Sequence, residues 1–182
     1  IGNLTGPVST AASVVDPNAF YKELRKKNED AHAYMDFITK QLIEFGLAQI
    51  EAGADVIAIS DPSGTGEIMG PKYFAEFTVK YLNQLIAPLK AKGAAVIVHI
   101  CGQMRTVYEQ MNEIQSDALS FDAIVPMSEA RRALPGRVLM GNVSTYTLEF
   151  GDPEKIRTLT QNCVSNGADI ISPACGLGMK SP

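Results

Sequence analysis

The sequence reads as an α/β protein of the (β/α)8 TIM-barrel type, here a partial barrel of about six β/α units. Three observations lead there. Short apolar, β-branched runs alternate with longer segments of helical periodicity, the pattern of parallel strands joined by crossover helices. The same phrase introduces two of these runs, EAGADVI at 51–57 and SNGADII at 165–171. Its physical content is a helix stopped by glycine, a tight loop and then a buried strand. Finally, two of the runs deliver soft metal-ligand side chains at their carboxyl ends, where the strands of a parallel barrel surround one mouth. A complete barrel takes about 250 residues and eight strands. The 182 residues are therefore expected to form one partial domain, 1–182, corresponding to strands 3 to 8 of a longer protein.

Residues 1–5 are expected to form a strand running into the loop at Gly6 and Pro7. Residues 18–52 follow as helix, with a break near Asn28 and with Met35, Ile38, Leu42, Phe45 and Ile50 at helical spacing. Residues 54–60 (ADVIAIS) form the second strand, opening into the loop 61–67. Pro71 suits the first turn of a helix that carries Phe74, Phe77, Tyr81, Leu82, Leu85 and Leu89, with Lys90 and Lys92 near its end. Residues 95–103 (AVIVHICGQ) read as a strand buried on both faces. A helix is expected over 104–114, a strand over 118–122, and a short helix capped by Ser128. The next strand covers 137–142, and Asp152 caps a helix with Pro153 at its first position and Ile156, Leu159 and Val164 inward. Residues 168–176 complete six strands, and no helix is expected in the remaining residues, which end in Met179, Lys180, Ser181 and Pro182. Six strands cannot close the barrel, so two edges are left unpaired and offer a route to a homo-oligomer.

With 46% hydrophobic and 20% charged residues and a net charge of −4, the chain has ordinary globular composition. It lacks the concentrated basic face that nucleic acid or anionic membrane demands. No run approaches the ~20 apolar residues of a membrane span, and there is no secretory signal. Three cysteines, an odd number placed at strand ends and in one helix, argue against a disulfide framework and for a reducing cytoplasm.

His99 and Cys101 are two residues apart in a strand, so they project to the same side of the sheet. Imidazole and thiolate together suit zinc, although a hydrogen-bonded histidine beside a small buried cysteine remains the alternative for this pair alone. Cys175 adds a third soft donor from another strand end, and three protein ligands with one open position is the arrangement of a catalytic zinc. Asp61 would face the mouth beside His99, accepting the spare imidazole N–H or orienting a substrate, with an Asp-Pro turn as the alternative. Asp122 and Asn142 end their strands and are candidate substrate-binding residues. Glu67 is a candidate fourth ligand or a solvated loop residue, and Gln103 a weaker candidate, with the start of the next helix as the alternative. Cys163 reads as a buried inert thiol and His32 as a surface residue. The loop 63–66 (SGTG) lacks the Lys-Ser/Thr ending of a phosphate-binding loop.

The segments VHICG at 98–102, MGNV at 140–143 and ISPACG at 171–176 together resemble the uroporphyrinogen decarboxylase superfamily, and within it the corrinoid-dependent methyltransferase branch. The resemblance covers essentially the whole chain. It implies a TIM barrel whose zinc is held by a His-x-Cys pair and a distant cysteine, mapping onto His99, Cys101 and Cys175. It also implies methyl transfer from a methylated corrinoid (cobalamin), presented by a partner corrinoid protein, to a small thiol such as coenzyme M. Two alternatives stand beside it: a metal-free, decarboxylase-like enzyme, and a non-catalytic truncated barrel used for binding. The chain departs from the family pattern in lacking the N-terminal portion of the barrel.

Overall fold

The computed structural model describes residues 1–26 and 28–176, so the expectation for 179–182 lies outside the described residues. Five parallel strands lie side by side in chain order: β1 (Gly2–Thr5), β2 (Val56–Ser60), β3 (Ala95–Ile100), β4 (Ala118–Phe121) and β5 (Val138–Met140). Consecutive order with helical crossovers is how a (β/α) barrel is wound, and the sheet is a partial barrel. The sixth expected strand is reduced to two bridges, Met140 to Ile170 and Val143 to Pro173. Parallel hydrogen bonds still run along it, from Gly141 N to Ile170 O (2.9 Å), Val143 N to Ser172 O (3.0 Å) and Ala174 N to Val143 O (2.8 Å). Among the described residues that segment is paired on one side only.

The repeated phrase does the same work twice. Gly53 and Gly167 both have positive φ, 104° and 99°, and each is followed by a residue whose N–H closes back onto the last helical turn, Ala54 to Gln49 O and Ala168 to Cys163 O.

The helices differ in detail from expectation. The residues after Gly6 form α1 (Pro7–Val14) instead of an open loop, and the long helical stretch is split into α2 (Pro17–Lys26) and α3 (Asn28–Glu51). In α3, Met35 and Ile38 are buried while Phe45 points outward, 58% exposed. The backbone is non-helical at Gly70 within α4 (Gly66–Tyr73), so Pro71 stands where helix restarts. A π-helical turn, Phe74–Val79, leads into α5 (Lys80–Ala91). All six apolar residues expected on this face are fully buried, each burial contributing roughly 1.5–3 kcal/mol. Lys90 Nζ bonds Asp117 Oδ1 at 2.7 Å.

The helix expected over 104–114 shrinks to α6 (Tyr108–Met111), with turns on either side. Ser128 does not cap α7 (Met127–Ala133): Pro126 stands at the cap, and Ser128 lies inside the helix. An unforeseen helix, α8 (Thr145–Phe150), is capped by Ser144, and Asp152 caps α9 (Pro153–Ser165) by accepting from Lys155 N. Ile156 and Leu159 are half-buried in α9, but Val164 is 56% exposed and Cys163 takes the inward position. No helix among the described residues is long and apolar enough to cross a membrane.

Burial alternates along the two central strands. Ile57, Ile59, Val96, Val98 and Ile100 are buried in the main hydrophobic core, whereas Ala58, Ser60, Ile97 and His99 are only half-buried. The strand read as buried on both faces therefore has one closed face and one that lines a cleft. That cleft, about 360 Å³, is also bordered by Asn3, Ser120, Met140, Ser172 and Cys175.

Candidate metal centre

β3 carries His99 on its open face, and the chain turns at Gly102 immediately after Cys101. Period-two alternation brings the two side chains together, with His99 Nε2 at 3.2 Å from Cys101 Sγ. Cys175 arrives from the edge segment, its Sγ 3.6 Å from that of Cys101. One ligand atom from each of His99, Cys101 and Cys175 lies within 4.8 Å of the others. Four-coordinate zinc with Zn–S of about 2.3 Å places tetrahedral sulfurs about 3.8 Å apart, so the donor set fits the ion in kind and in spacing.

The electrostatics point the same way. Burial lowers the pKa of His99, against the charge of Asp122 and a hydrogen bond to the Ser120 backbone, which keeps the imidazole neutral and its lone pair available. Burial, Cys175 and Asp122 together push the Cys101 thiol up to about 12. Without an ion, this holds Cys101 as the neutral thiol, and a dication at the triplet would reverse the shift by stabilising the thiolate form beside Asp122.

The other sequence candidates are dispersed. Asp61 is fully buried, and its carboxylate accepts from Val8 N (3.2 Å) and Ser9 N (2.7 Å) at the start of α1. Burial raises its pKa against those bonds. It neither meets the imidazole nor presents a face to a substrate, because the unforeseen helix α1 claims both oxygens. Asp122 stands beside the triplet and accepts from Gly102 N (3.3 Å) and Ile124 N (3.1 Å). Asn142 does not line the cleft. Its amide donates to Asp122 O and Val125 O, its backbone N–H faces Cys163 Sγ at 3.5 Å, and it borders a separate hollow near α9. Cys163 is buried there, as read.

Glu67 is exposed and lies outside the three-donor cluster, although its Oε2 sits where a Cβ on Gly102 would come within 2.6 Å. Gln103 reaches Ile124 O at 3.4 Å. His32 is no plain surface residue: it stacks on Phe77 with ring centroids 4.6 Å apart, and its Nδ1 meets Tyr81 Oη at 2.7 Å. Ser120, which the sequence did not single out, lies opposite His99 in the strand register with its Oγ 3.1 Å from Nδ1. A serine inside an apolar strand is the only local sign of it.

Comparison with known proteins adds four findings. The model of the family described as uroporphyrinogen decarboxylase (URO-D) matches residues 1–182. The methylcobamide:CoM methyltransferase MtaA of Methanosarcina barkeri is 30% identical over 185 residues, which span 100% of this chain and 54% of that protein. A uroporphyrinogen decarboxylase of Neisseria meningitidis is 36% identical over 131 residues, 70% of this chain and 36% of that protein. Among solved structures, a methyltransferase from Methanosarcina mazei superimposes with a TM-score of 0.91 at 29% identity, over 100% of this chain and 54% of that one. The chain thus spans about half the length of the methyltransferases it matches.

Proposed function

This chain belongs to the uroporphyrinogen decarboxylase family, and from that premise we propose that it carries the donor-bearing part of a zinc-dependent methyltransferase. The methyl group would come from a methylated corrinoid, held by a partner corrinoid protein in a reducing cytoplasm, and pass to a small thiol such as coenzyme M. The single observation that carries this reading is the convergence of His99, Cys101 and Cys175. Similarity along the whole of this chain, and about half of each relative, to methylcobamide:CoM methyltransferases supports the reaction class. Because the chain covers about half of those relatives, it is assigned as part of a longer barrel.

The proposed net reaction would break a carbon–cobalt bond, leaving both electrons on the corrinoid's cobalt, and form a carbon–sulfur bond, with the acceptor giving up its thiol proton. Zinc held by the triplet would keep one position open and lower the pKa of a thiol bound there. The chain's own residues do the rest. Burial favours the neutral form of His99, which leaves one ring nitrogen with a free lone pair to offer a metal. The half-open strand face, with Asn3, Ser60 and Ser172 set among Ile97, Ala58 and Met140, offers neutral polar groups in an apolar cleft to a small organic acceptor. Asp122 is the one expected polar residue at the cleft's metal end.

A metal-free decarboxylase reading is favoured by the higher local identity to the Neisseria enzyme. It covers less of the chain and leaves the three soft donors without work. The dividing experiment combines elemental analysis of the purified protein with isotope-labelled methyl transfer from a methylated corrinoid protein to thiols. About one zinc per chain together with a labelled thioether supports the proposal. Metal-free protein that decarboxylates uroporphyrinogen refutes it.

A further inference from the structure

We propose that Ser120 is a positioning residue for the metal centre, acting through His99. The inference rests on the reading of the triplet as a zinc site. A neutral imidazole carries one N–H and one lone pair, and which nitrogen keeps the proton is set by the partner of the other. His99 Nε2 faces Cys101 Sγ at 3.2 Å, so the ligating lone pair belongs on Nε2 and the proton on Nδ1. Ser120 Oγ, 3.1 Å from Nδ1, accepts that proton's hydrogen bond.

The geometry is well supported from below. β3 and β4 pair in parallel with His99 directly opposite Ser120, and both neighbours of Ser120 in β4, Leu119 and Phe121, are fully buried. Ser120 itself is 5% exposed, so it holds its place without competition from bulk water. The carboxylates that would be the usual partners of a ligating histidine are committed elsewhere. Asp61 is occupied by the N–H groups of Val8 and Ser9, and Asp122 by those of Gly102 and Ile124. The hydroxyl can accept or donate, so with Nε2 turned to the metal it takes the acceptor role toward Nδ1–H, and it stops the ring from turning about its Cβ–Cγ bond.

The test measures metal affinity and ligand geometry instead of turnover. Zinc affinity is read by competition with a chromophoric chelator, and the ligand-field bands of cobalt(II)-substituted protein are recorded, for the wild type, Ser120→Ala and Ser120→Thr. Ser120→Ala should weaken zinc binding about 10–100-fold and shift the cobalt bands, while Ser120→Thr, which keeps the hydroxyl, should recover most of both. Independently of any variant, ¹⁵N-histidine spectra of the zinc-loaded wild type, with only His32 and His99 to assign, should show His99 protonated at Nδ1. Equal affinity and unchanged bands in folded Ser120→Ala, or a His99 protonated at Nε2, would overturn this inference alone. A folded wild-type protein that takes up no zinc would overturn the reading of the triplet, and this inference with it.

Discussion

Two cysteine–glycine steps meet at the cleft, and they are built differently. Cys101 and Gly102 follow β3, which is paired on both sides, by β2 and by β4. Gly102 sits at φ +88°, its N–H donates to Asp122, and a Cβ there would lie 2.6 Å from Glu67 Oε2 and 2.7 Å from Thr65 Oγ1. Cys175 and Gly176 follow a segment bonded to one neighbour through two isolated bridges, and a Cβ on Gly176 would meet nothing within 4 Å. Cys101 is half-buried and Cys175 exposed. The candidate centre thus has one donor on a central strand, one in the turn that follows it, and a third brought in from an edge. Preorganisation of the first two would fix the direction of binding of an ion, and the third would close the set.

The largest expected effect is on the exposed side. Cys175→Ser should lower zinc affinity by about 100-fold or more, since a thiolate donor is lost, yet leave the melting temperature of the metal-free protein within a degree or two because the side chain is exposed. Elemental analysis and thermal denaturation check this. Stoichiometric zinc retained by the variant would break the comparison, by showing that the edge donor is dispensable.

The two glycines sharpen it. Gly102→Ala combines a left-handed backbone with a crowded Cβ and should cost about 1–3 kcal/mol, whereas Gly176→Ala should change stability by less than about 0.5 kcal/mol. Urea denaturation of both variants decides. Equal costs would mean that the central turn is no more tightly specified than the edge one.

A smaller effect concerns how the edge segment is held. Asp169 accepts from Leu139 N at 2.8 Å and pairs with Arg131, whose guanidinium also reaches Gly167 O. Asp169→Asn should destabilise by about 1 kcal/mol and raise hydrogen exchange in 168–174 while leaving β3 protected. Uniform exchange across both would dissolve the distinction.

The smallest is a pH effect with the same logic. The Leu139 N–H and the Arg131 guanidinium hold the Asp169 carboxyl below its ordinary range, against some burial. A depressed folded pKa contributes stability above the unfolded value, near 4, and that contribution is lost as pH falls through the folded value. Protection factors in 168–174, taken relative to the intrinsic exchange rate at each pH, should therefore fall on going from pH 5 to pH 3 before those of β3 do. The reverse order would assign the acid sensitivity elsewhere.

Local regularities in the sequence determined much of this protein. Apolar runs, glycine stops and Asp152 before Pro153 announced the β/α order, because each depends on neighbours a few residues away. Alternation alone placed His99 and Cys101 on one face. What the sequence missed is non-local. The sixth strand, expected at an unpaired edge, is indeed paired on one side only among the described residues, but it is reduced to two isolated bridges instead of a full strand, which no property of its own residues announced. Asp61 ends a strand as Asp122 does, but α1 folds back onto it and takes both oxygens. Asn142 turns toward Cys163 and the β4 loop instead of the cleft. Ser120 faces His99 because two strands 21 residues apart in sequence pair in one register and not the next. A slip of one residue would carry the hydroxyl to the other face, and only the packed sheet excludes that slip.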